Sequence, residues 1–378
     1  MQIKKEKIVQ IGRSIVTLVS VALIVLTLAA LSSASGSGVR SGQTESLELA
    51  IMDRYEMRLT NQISDALDGV LAIDKVYWLS DDDLVAPKPD PAKYGVSKDP
   101  KELAWLIEDS KELMDGQQLL FSTDTKAYPG TEINYYLDET ILAVTWKQGM
   151  GSMYTICEVK IQHPSQLRRF LAGGEYGAKM QLQTSNMAAT VNAVLASAGD
   201  FYGFRQEGVI VYDGTVRRTN PRRVETCYID ANGDLLLSHC GELGDMEEAQ
   251  AFVDEHDVRF SLSFGPILVE DGYPVDIDPG YYLGQPTDNY PRAALCQLGP
   301  LHYLVVVVNK EAEYGHTHSL YEFQNNVASL GVETAYTIDG GQTATVVMNG
   351  KVLNKLATGS QRYITDIFYF ATALPDGE

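Results

Sequence analysis

Two short motifs in the C-terminal half of the chain place an aspartate with two glycines, and an arginine, at the ends of predicted strands. The motif Asp339-Gly340-Gly341 follows the strand-like segment 334–338. The backbone can approach a ligand closely there, because glycine has no side chain to block it. Arg292 follows Pro291 and precedes a very apolar stretch, so its guanidinium is a candidate anion clamp. A carboxylate and a guanidinium at strand ends suit an anionic, phosphate-bearing substrate.

Other residues with chemical potential form weaker patterns. His316 and His318 are separated by one residue, but a metal site needs three or four convergent ligands, so we expect no metal. The chain contains no Walker loop, no Gly-x-Ser-x-Gly motif, no zinc-protease helix and no dinucleotide fingerprint, and we expect no cofactor. Cys296 lies near Arg292 without an identifiable catalytic triad, and we interpret it as a small core residue.

The four cysteines leave the disulfide pattern open, because four cysteines allow three full pairings. Cys227 and Cys240 flank a predicted hairpin and could be cross-strand neighbours. For Cys157 and Cys296, free buried thiols are an equally good interpretation.

The charge balance is strongly acidic, with 30 basic and 50 acidic residues and a net charge of −20. Such a surface repels the phosphates of nucleic acid, so we expect no nucleic-acid partner. It also argues against a broad electrostatic attachment to anionic lipid. An acidic surface by itself does not identify a binding partner.

The N-terminus carries a membrane-targeting pattern. Four basic residues precede the uncharged, apolar segment 14–31, and they are Lys4, Lys5, Lys7 and Arg13. Basic residues before an apolar segment orient the following chain outward, and about 18 residues is near the lower limit for a spanning helix. We expect a single-pass cell-membrane anchor with an extracytoplasmic C-terminal domain. A cleaved signal peptide and secretion are the alternative, with Ser32-Ser33-Ala34 as the small-residue site.

The pattern along the chain predicts five segments. These are a cytoplasmic basic tip (1–13), the anchor or signal (14–34), a linker (35–46), a helical and proline-rich region (47–118) and a globular domain (119–375). Apolar residues recur every four positions over 47–67, which predicts an amphipathic helix. Asp99–Pro100 begins a second predicted helix, which ends at Gly116.

Strand-like segments dominate after residue 119. Hairpin turns are predicted at Asp213-Gly214 and Asn349-Gly350. Helices are predicted for 185–195, 246–255 and 319–330, and also for Pro164–Ala172, which has proline in its first turn. Strands outnumber helices and mostly connect locally. The predicted fold is α+β, with a large mixed, mostly antiparallel sheet flanked by helices.

An ordered series of motifs between about residues 130 and 372 resembles the phosphodiester glycosidase family, as a divergent bacterial-type member. Phe264-Gly265-Pro266-Ile267-Leu268-Val269-Glu270-Asp271-Gly272 matches the Phe-Gly-Pro-x-Leu-Val-x-x-Gly pattern of the family closely. The other matching segments are 193–202, 208–214, 290–294, 338–341, 348–352 and 362–367.

The resemblance implies hydrolysis at a sugar anomeric carbon with a phosphomonoester as the leaving group. The expected substrates are sugar-1-phosphate diesters on cell-envelope glycans. Two carboxylates usually flank the scissile bond of a glycoside, which gives Asp339 the role of general base or nucleophile and makes Asp200 the second carboxylate. Arg292 would hold the phosphate. Backbone and hydroxyl donors would come from Gly340, Gly341 and Thr343.

Several positions depart from the family pattern. Ala198 stands where the family has Asn, and Gln342 replaces the third glycine of its Asp-Gly-Gly-Gly turn. Asn309-Lys310-Glu311 replaces Asp-Gly-Arg, which removes a cation and adds an anion. These departures leave an alternative function open, in which a catalytically degenerate domain binds an envelope glycan or a protein partner.

Overall fold

The computed structural model describes residues 86–124, 130–309 and 317–373. The predicted basic tip, anchor or signal, linker and amphipathic helix of residues 1–67 lie outside these ranges. None of the described helices is both long and apolar enough to cross a membrane.

Strands account for most of the described structure. They are β1 (Tyr94–Ser97), β2 (Ile133–Leu137), β3 (Ile141–Gly149), β4 (Met153–Ile161), β5 (Leu167–Leu171), β6 (Leu195–Ala198), β7 (Gly208–Tyr212), β8 (Thr215–Asn220), β9 (Thr226–Ile229), β10 (Leu235–Ser238), β11 (Phe260–Leu262), β12 (Ile267–Glu270), β13 (Tyr273–Pro274), β14 (Arg292–Gly299), β15 (His302–Asn309), β16 (Thr334–Ile338), β17 (Val346–Met348), β18 (Lys351–Val352) and β19 (Asp366–Phe370). The described α-helices are α1 (Ala104–Asp109), α2 (Lys111–Met114), α3 (Thr184–Thr190), α4 (Met246–Glu255) and α5 (Leu320–Ala328).

The strands form three sheets in the described chain. A nine-stranded sheet has the order β1-β2-β3-β4-β15-β14-β16-β12-β13. Two five-stranded sheets have the orders β10-β9-β11-β7-β8 and β18-β17-β6-β19-β5. The ladders that join neighbouring strands are antiparallel. The expectation of mostly antiparallel pairing is confirmed, whereas the expected single large sheet is replaced by three.

The nine-stranded sheet is covered on both faces. Alternate residues of β3 point to opposite sides, as the two-residue period of a strand requires. Ile141 and Ala143 contribute to a core shared with the two smaller sheets, while Leu142 and Val144 pack towards the helices. The fold is therefore layered, with helices, the large sheet and the two smaller sheets in succession.

The predicted helix Pro164–Ala172 is wrong. Only Pro164–Gln166 forms a turn of 3₁₀-helix, and Leu167–Leu171 is strand β5. This strand pairs along its whole length with β19, about 200 residues later, and its five residues are buried. A local sequence pattern contains no information about a partner strand so distant in the chain. Pairing with that strand therefore overrides the local helical preference.

The predicted hairpins are confirmed. The β7–β8 turn has Asp213 and Gly214 at positive φ, and the β17–β18 turn has Asn349 and Gly350 at positive φ, which fits the residue types of a tight hairpin turn. All four cysteines are free thiols. Cys227 lies opposite Leu237 in the β9–β10 ladder, so its cross-strand neighbour is not Cys240.

Candidate functional site

The segments carrying the predicted site residues meet at the ends of three strands. β6 ends at Ala198 and β16 ends at Ile338, and the Asp339 backbone N–H donates to the Gly199 carbonyl at 3.1 Å. β14 begins at Arg292 beside β16, with Ala293 opposite Ile338. The large sheet and the β6 sheet are therefore joined where the candidate residues lie.

Asp200 belongs to a buried ion cluster with two partners that lie on neighbouring strands. Arg169 on β5 places Nη2 2.8 Å from Asp200 Oδ1 and 2.9 Å from Asp366 Oδ2, which lies at the start of β19. All three side chains are at most 1% exposed. One guanidinium thus neutralises two buried carboxylates, which is the pairing that buried charges require.

Further contacts fix the backbone around this cluster. Asp200 also accepts hydrogen bonds from the backbone N–H of Tyr202, at 2.9 Å, and of Ser263, at 2.7 Å. A Cβ atom at Gly199 would lie 1.8 Å from Asp366 Oδ2, so only glycine fits this strand end. These contacts favour a positioning role for Asp200. Its role as the second catalytic carboxylate stays a prediction.

The pKa values of Arg169 and Asp366 are shifted in this cluster. Burial by itself lowers the pKa of the Arg169 guanidinium, but Asp200 and Asp366 outweigh it and raise this pKa above its ordinary value. Burial raises the pKa of the Asp366 carboxyl to about 6, against the opposing effect of Arg169. The arginine remains a permanent cation at the centre of the cluster.

Asp339 has a different environment, because the residue as a whole retains intermediate solvent exposure. Burial is the main cause that raises the pKa of its carboxyl from 3.8 to about 7. The Thr343 side chain and the guanidinium groups of Arg205 and Arg362 act in the opposite direction, and Asp366 adds to the rise. A carboxyl group with this pKa exchanges a proton near neutral pH, which general acid–base catalysis favours.

The glycines after Asp339 make a tight internal turn. Gly341 has φ of +60° and donates its N–H to the Pro291 carbonyl at 2.7 Å. A Cβ atom at Gly340 would lie 2.6 Å from the same oxygen, so the close backbone approach predicted for this motif is an approach to the chain preceding β14. The Thr343 hydroxyl donates to the Gly340 carbonyl at 2.6 Å. The predicted ligand-binding roles of these three residues stay predictions.

The guanidinium of Arg292 is buried and bound to backbone carbonyls. It donates to Gln285 at 3.0 Å, to Asp288 at 2.5 Å and to His318 at 3.4 Å, and it also contacts the Gly284 carbonyl. Burial lowers its pKa to about 10. These contacts favour a role in holding the 284–288 loop, and phosphate binding by Arg292 stays a prediction.

Arg205 is the cation that the sequence analysis missed. Its side chain is 8% exposed, and Nη2 donates to the Asp200 carbonyl at 2.6 Å. Nε and Nη1 are buried and have no hydrogen-bond partner among the described residues. The guanidinium lies 5.5 Å from the centre of the Phe264 ring and influences the Asp339 carboxyl. The only signal in the sequence that could have indicated Arg205 as a site residue is its position five residues after Asp200.

An aromatic platform adjoins this arginine. The Phe201 and Phe204 rings stack with centroids 4.6 Å apart, and Phe204 is 38% exposed. The exposed Arg362 lies 5.8 and 5.9 Å from the two ring centres. Exposed rings beside a cation give a surface that can pack on the carbon face of a sugar while the cation meets an anion.

The described residues contain no group of three or more His, Cys, Asp and Glu placed to hold a metal ion. His318 is buried and shares a hydrogen bond of 2.7 Å with the Tyr154 hydroxyl. His316 and Lys310-Glu311 lie outside the described ranges. Ala198 is buried in an apolar cluster between β6 and α3, and Gln342 is exposed.

Residues 189–371 match the family model described as phosphodiester glycosidase. No curated protein sequence matches the chain. Among solved structures, the zebrafish N-acetylglucosamine-1-phosphodiester alpha-N-acetylglucosaminidase catalytic domain, auto-inhibited by its pro-peptide, is 15% identical with a TM-score of 0.50, covering 62% of this chain and 84% of that one. A hypothetical protein from Synechocystis is 14% identical with a TM-score of 0.47, covering 65% and 64% of the two chains. The zebrafish likeness is one of fold.

Proposed function

We propose, on the premise that residues 189–371 belong to the phosphodiester glycosidase family, that this protein hydrolyses sugar-1-phosphate diesters. The observation that carries the proposal is the raised pKa of the Asp339 carboxyl group, on which the guanidinium of Arg205 acts electrostatically. A partly buried carboxyl group whose pKa is raised to about 7 lies under the influence of a buried guanidinium with two N–H groups free of partners in the described chain. We propose that the carboxyl group exchanges a proton and that the guanidinium binds the phosphate.

In the proposed step, Asp339 in its ionised form removes a proton from a water molecule. The water oxygen forms a bond to the anomeric carbon, the bond from that carbon to the phosphate oxygen breaks, and the electron pair leaves with the phosphate. The products are a free sugar and a phosphomonoester. Direct attack by the Asp339 carboxylate, followed by hydrolysis, is the second form of the same step.

The leaving group needs charge neutralisation more than a proton, because a phosphomonoester leaves readily. Arg205 would stabilise the additional negative charge that develops on the phosphate. Its burial strengthens this interaction, since water screens the charge less there. Arg362 and the stacked rings of Phe201 and Phe204 would contact the sugar and the outer phosphate oxygens. Asp200 would hold the strand end through Arg169.

We further propose that residues 119–375 act outside the cell, on glycans of the cell envelope. The support is the N-terminal order of basic residues, apolar segment and polar spacer, which is typical of an anchor or a signal. Residues 14–34 would anchor the chain in the cell membrane, and secretion after cleavage is the alternative.

The test is release of free sugar by the purified full-length chain in detergent, measured as new reducing ends from a panel of sugar-1-phosphate methyl diesters. We expect turnover that Asp339→Asn lowers at least about 100-fold, the lower bound for loss of a general base. The matched control is Asp271→Asn. Asp271 is exposed in the β12–β13 turn, where its φ of +50° suits asparagine equally well, so its activity should equal that of the wild type.

A binding module without turnover is the second candidate function, favoured by Ala198 at the position where the family carries an amide. The same panel separates the two functions when binding is measured alongside sugar release. Binding that Arg205→Met weakens, without release by the wild type, would support the binding module. Release that persists in Asp339→Asn would contradict the role assigned to this carboxyl group.

A further inference from the structure

A polar cavity separate from the candidate site lies between the two five-stranded sheets. It has a volume of about 410 Å³ and is bounded by β5 and β19 on one side, and by the β7–β8 turn, the end of α4 and β11 on the other. Its walls carry three arginines, two tyrosines and three aspartates, among them Arg168, Arg259, Tyr212, Tyr369, Asp213 and Asp254. Neither Asp339 nor Arg205 lines it.

Tyr212 is the residue that distinguishes this cavity from an ordinary polar crevice. Its side chain is only 4% exposed, and its hydroxyl has no hydrogen-bond partner among the described residues. By contrast, the buried Tyr228 hydroxyl bonds the Ser238 hydroxyl at 2.9 Å. A buried hydroxyl without a partner costs about 1–3 kcal/mol, so it calls for an acceptor from outside the chain.

The charged residues of the cavity are fixed by the protein around them. Arg259 donates from Nη1 to the Pro164 carbonyl at 2.7 Å, and Arg168 donates from Nε to the Ser165 carbonyl at 2.7 Å and hydrogen-bonds the Tyr369 side chain. Asp254 accepts a hydrogen bond from Gln250 at 2.8 Å. The two arginines are therefore held in place by the protein, whereas the carboxylates Asp213 and Asp254 are exposed.

This mixture selects for a ligand with two kinds of group. The guanidinium and phenol groups are donors suited to an anion, and phosphate accepts from them with several oxygens. The carboxylates Asp213 and Asp254 accept hydrogen bonds and suit the hydroxyl groups of a sugar. A volume of about 410 Å³ falls at the lower end of the range of small-molecule sites, about 300–1,000 Å³.

We propose that this cavity binds a phosphorylated monosaccharide, with its phosphate at Tyr212 and the arginines and its hydroxyl groups at the aspartates. The site goes beyond the hydrolysis proposed above and does not require it. Arg169 lines the cavity and also bonds Asp200 and Asp366, so the two sites share one residue.

The test is isothermal titration of the full-length chain with glucose 6-phosphate, with glucose and inorganic phosphate as separate arms. We expect glucose 6-phosphate to bind more tightly than either fragment. Tyr212→Phe should weaken its binding about 10-fold to 100-fold, which corresponds to one hydrogen bond to a charged group. The melting temperature should not fall, because the deleted hydroxyl bonds no described residue.

Two control variants locate the binding. Tyr228→Phe removes another buried hydroxyl and should leave the affinity unchanged. Arg205→Met alters the candidate active site and should also leave it unchanged, so a failure of the cavity is distinguishable from a failure of the hydrolytic site. Equal binding by wild type and Tyr212→Phe, equal affinity for inorganic phosphate and glucose 6-phosphate, or no binding by the wild type would each overturn the proposal.

Discussion

Two groups of charges lie side by side at the end of β6 and differ in how completely the protein satisfies them. In the Asp200–Arg169–Asp366 cluster, each charged group has partners and almost no exposed surface. In the second group, the residue Asp339 is partly exposed, and two guanidinium nitrogens of Arg205 have no hydrogen-bond partner in the described chain. Both groups consist of aspartate and arginine, and they differ in how many of their charged atoms have hydrogen-bond or ion-pair partners.

This difference separates structural from functional charge. A buried ion cluster with its partners in place stabilises one arrangement of strands, and breaking it is costly. A carboxyl group with a shifted pKa and a cation with unused donors are features that functional sites share. Of the two acids singled out by the sequence, Asp339 has the raised pKa and Asp200 has the buried, paired environment, and the catalytic role of each stays a prediction.

The largest expected effect is on the stability of the cluster. Arg169→Met leaves two buried carboxylates without their cation and should lower the free energy of unfolding by about 3–5 kcal/mol, measured by urea denaturation. Lys111→Met is the control, because Lys111 pairs with Glu108 at 2.6 Å on the exposed surface and should cost less than about 1 kcal/mol. Equal losses in the two variants would remove the distinction between the groups.

The two aspartates should respond in opposite ways to the same substitution. Asp200→Asn weakens charge-assisted hydrogen bonds and should lower the free energy of unfolding by about 1.5–3 kcal/mol at pH 8. Asp339→Asn removes a carboxylate that is poorly accommodated at that pH, so stability should be equal to the wild type or higher. Urea denaturation of both variants at pH 8 gives the comparison, and a large loss in Asp339→Asn would contradict it.

Arg205 and Arg292 should differ in the property that each controls. Arg205→Met should lower kcat/KM for a sugar-1-phosphate diester about 10-fold to 100-fold with a small change in melting temperature, because its free N–H groups are reserved for the ligand. Arg292→Met leaves the carbonyls of Gln285 and Asp288 without their donor and should lower the melting temperature. The reverse result would restore the phosphate-binding role to Arg292.

The last expected effect is on the pH dependence of stability. The folded pKa of Asp339, about 7, is above its unfolded value of 3.8, so the folded state holds a proton in that window that the unfolded state has lost. The contribution of Asp339 to the free energy of unfolding is therefore favourable at low pH and is lost as pH rises from about 4 to 7. Subtracting the Asp339→Asn profile from that of the wild type isolates this slope, and a flat difference would show an ordinary carboxyl group.

Part of the fold was predictable because its signals are local. The hairpins at Asp213-Gly214 and Asn349-Gly350 depend on residues that adopt positive φ within a two-residue turn. Ser319 is the N-cap of helix α5, and its side chain accepts from the backbone N–H of Glu322, a pattern readable from the sequence. By contrast, β5 was predicted as a helix because its partner strand β19 lies about 200 residues away.

The candidate site was predictable in its location and less so in its contacts. The strand-end motifs around Asp200, Arg292 and Asp339 do come together, since β14 pairs with β16 and the Asp339 N–H reaches Gly199. Which guanidinium remains free of partners depends on the carbonyls around it. Carbonyl groups of the 284–288 loop accept hydrogen bonds from the Arg292 guanidinium. Among the described acceptors, only the Asp200 carbonyl accepts one from Arg205.

Residue types and short motifs were enough to predict the acidic character of the chain, its turns, its alternating strands and its resemblance to the phosphodiester glycosidase family. These are properties of residue type and of short spacing, which act through local backbone preference and periodicity. Only the tertiary structure shows which charges have buried partners and which lack them among the described residues. Burial and pairing depend on atoms contributed by distant strands, and they set the pKa of Asp339 and the free donors of Arg205.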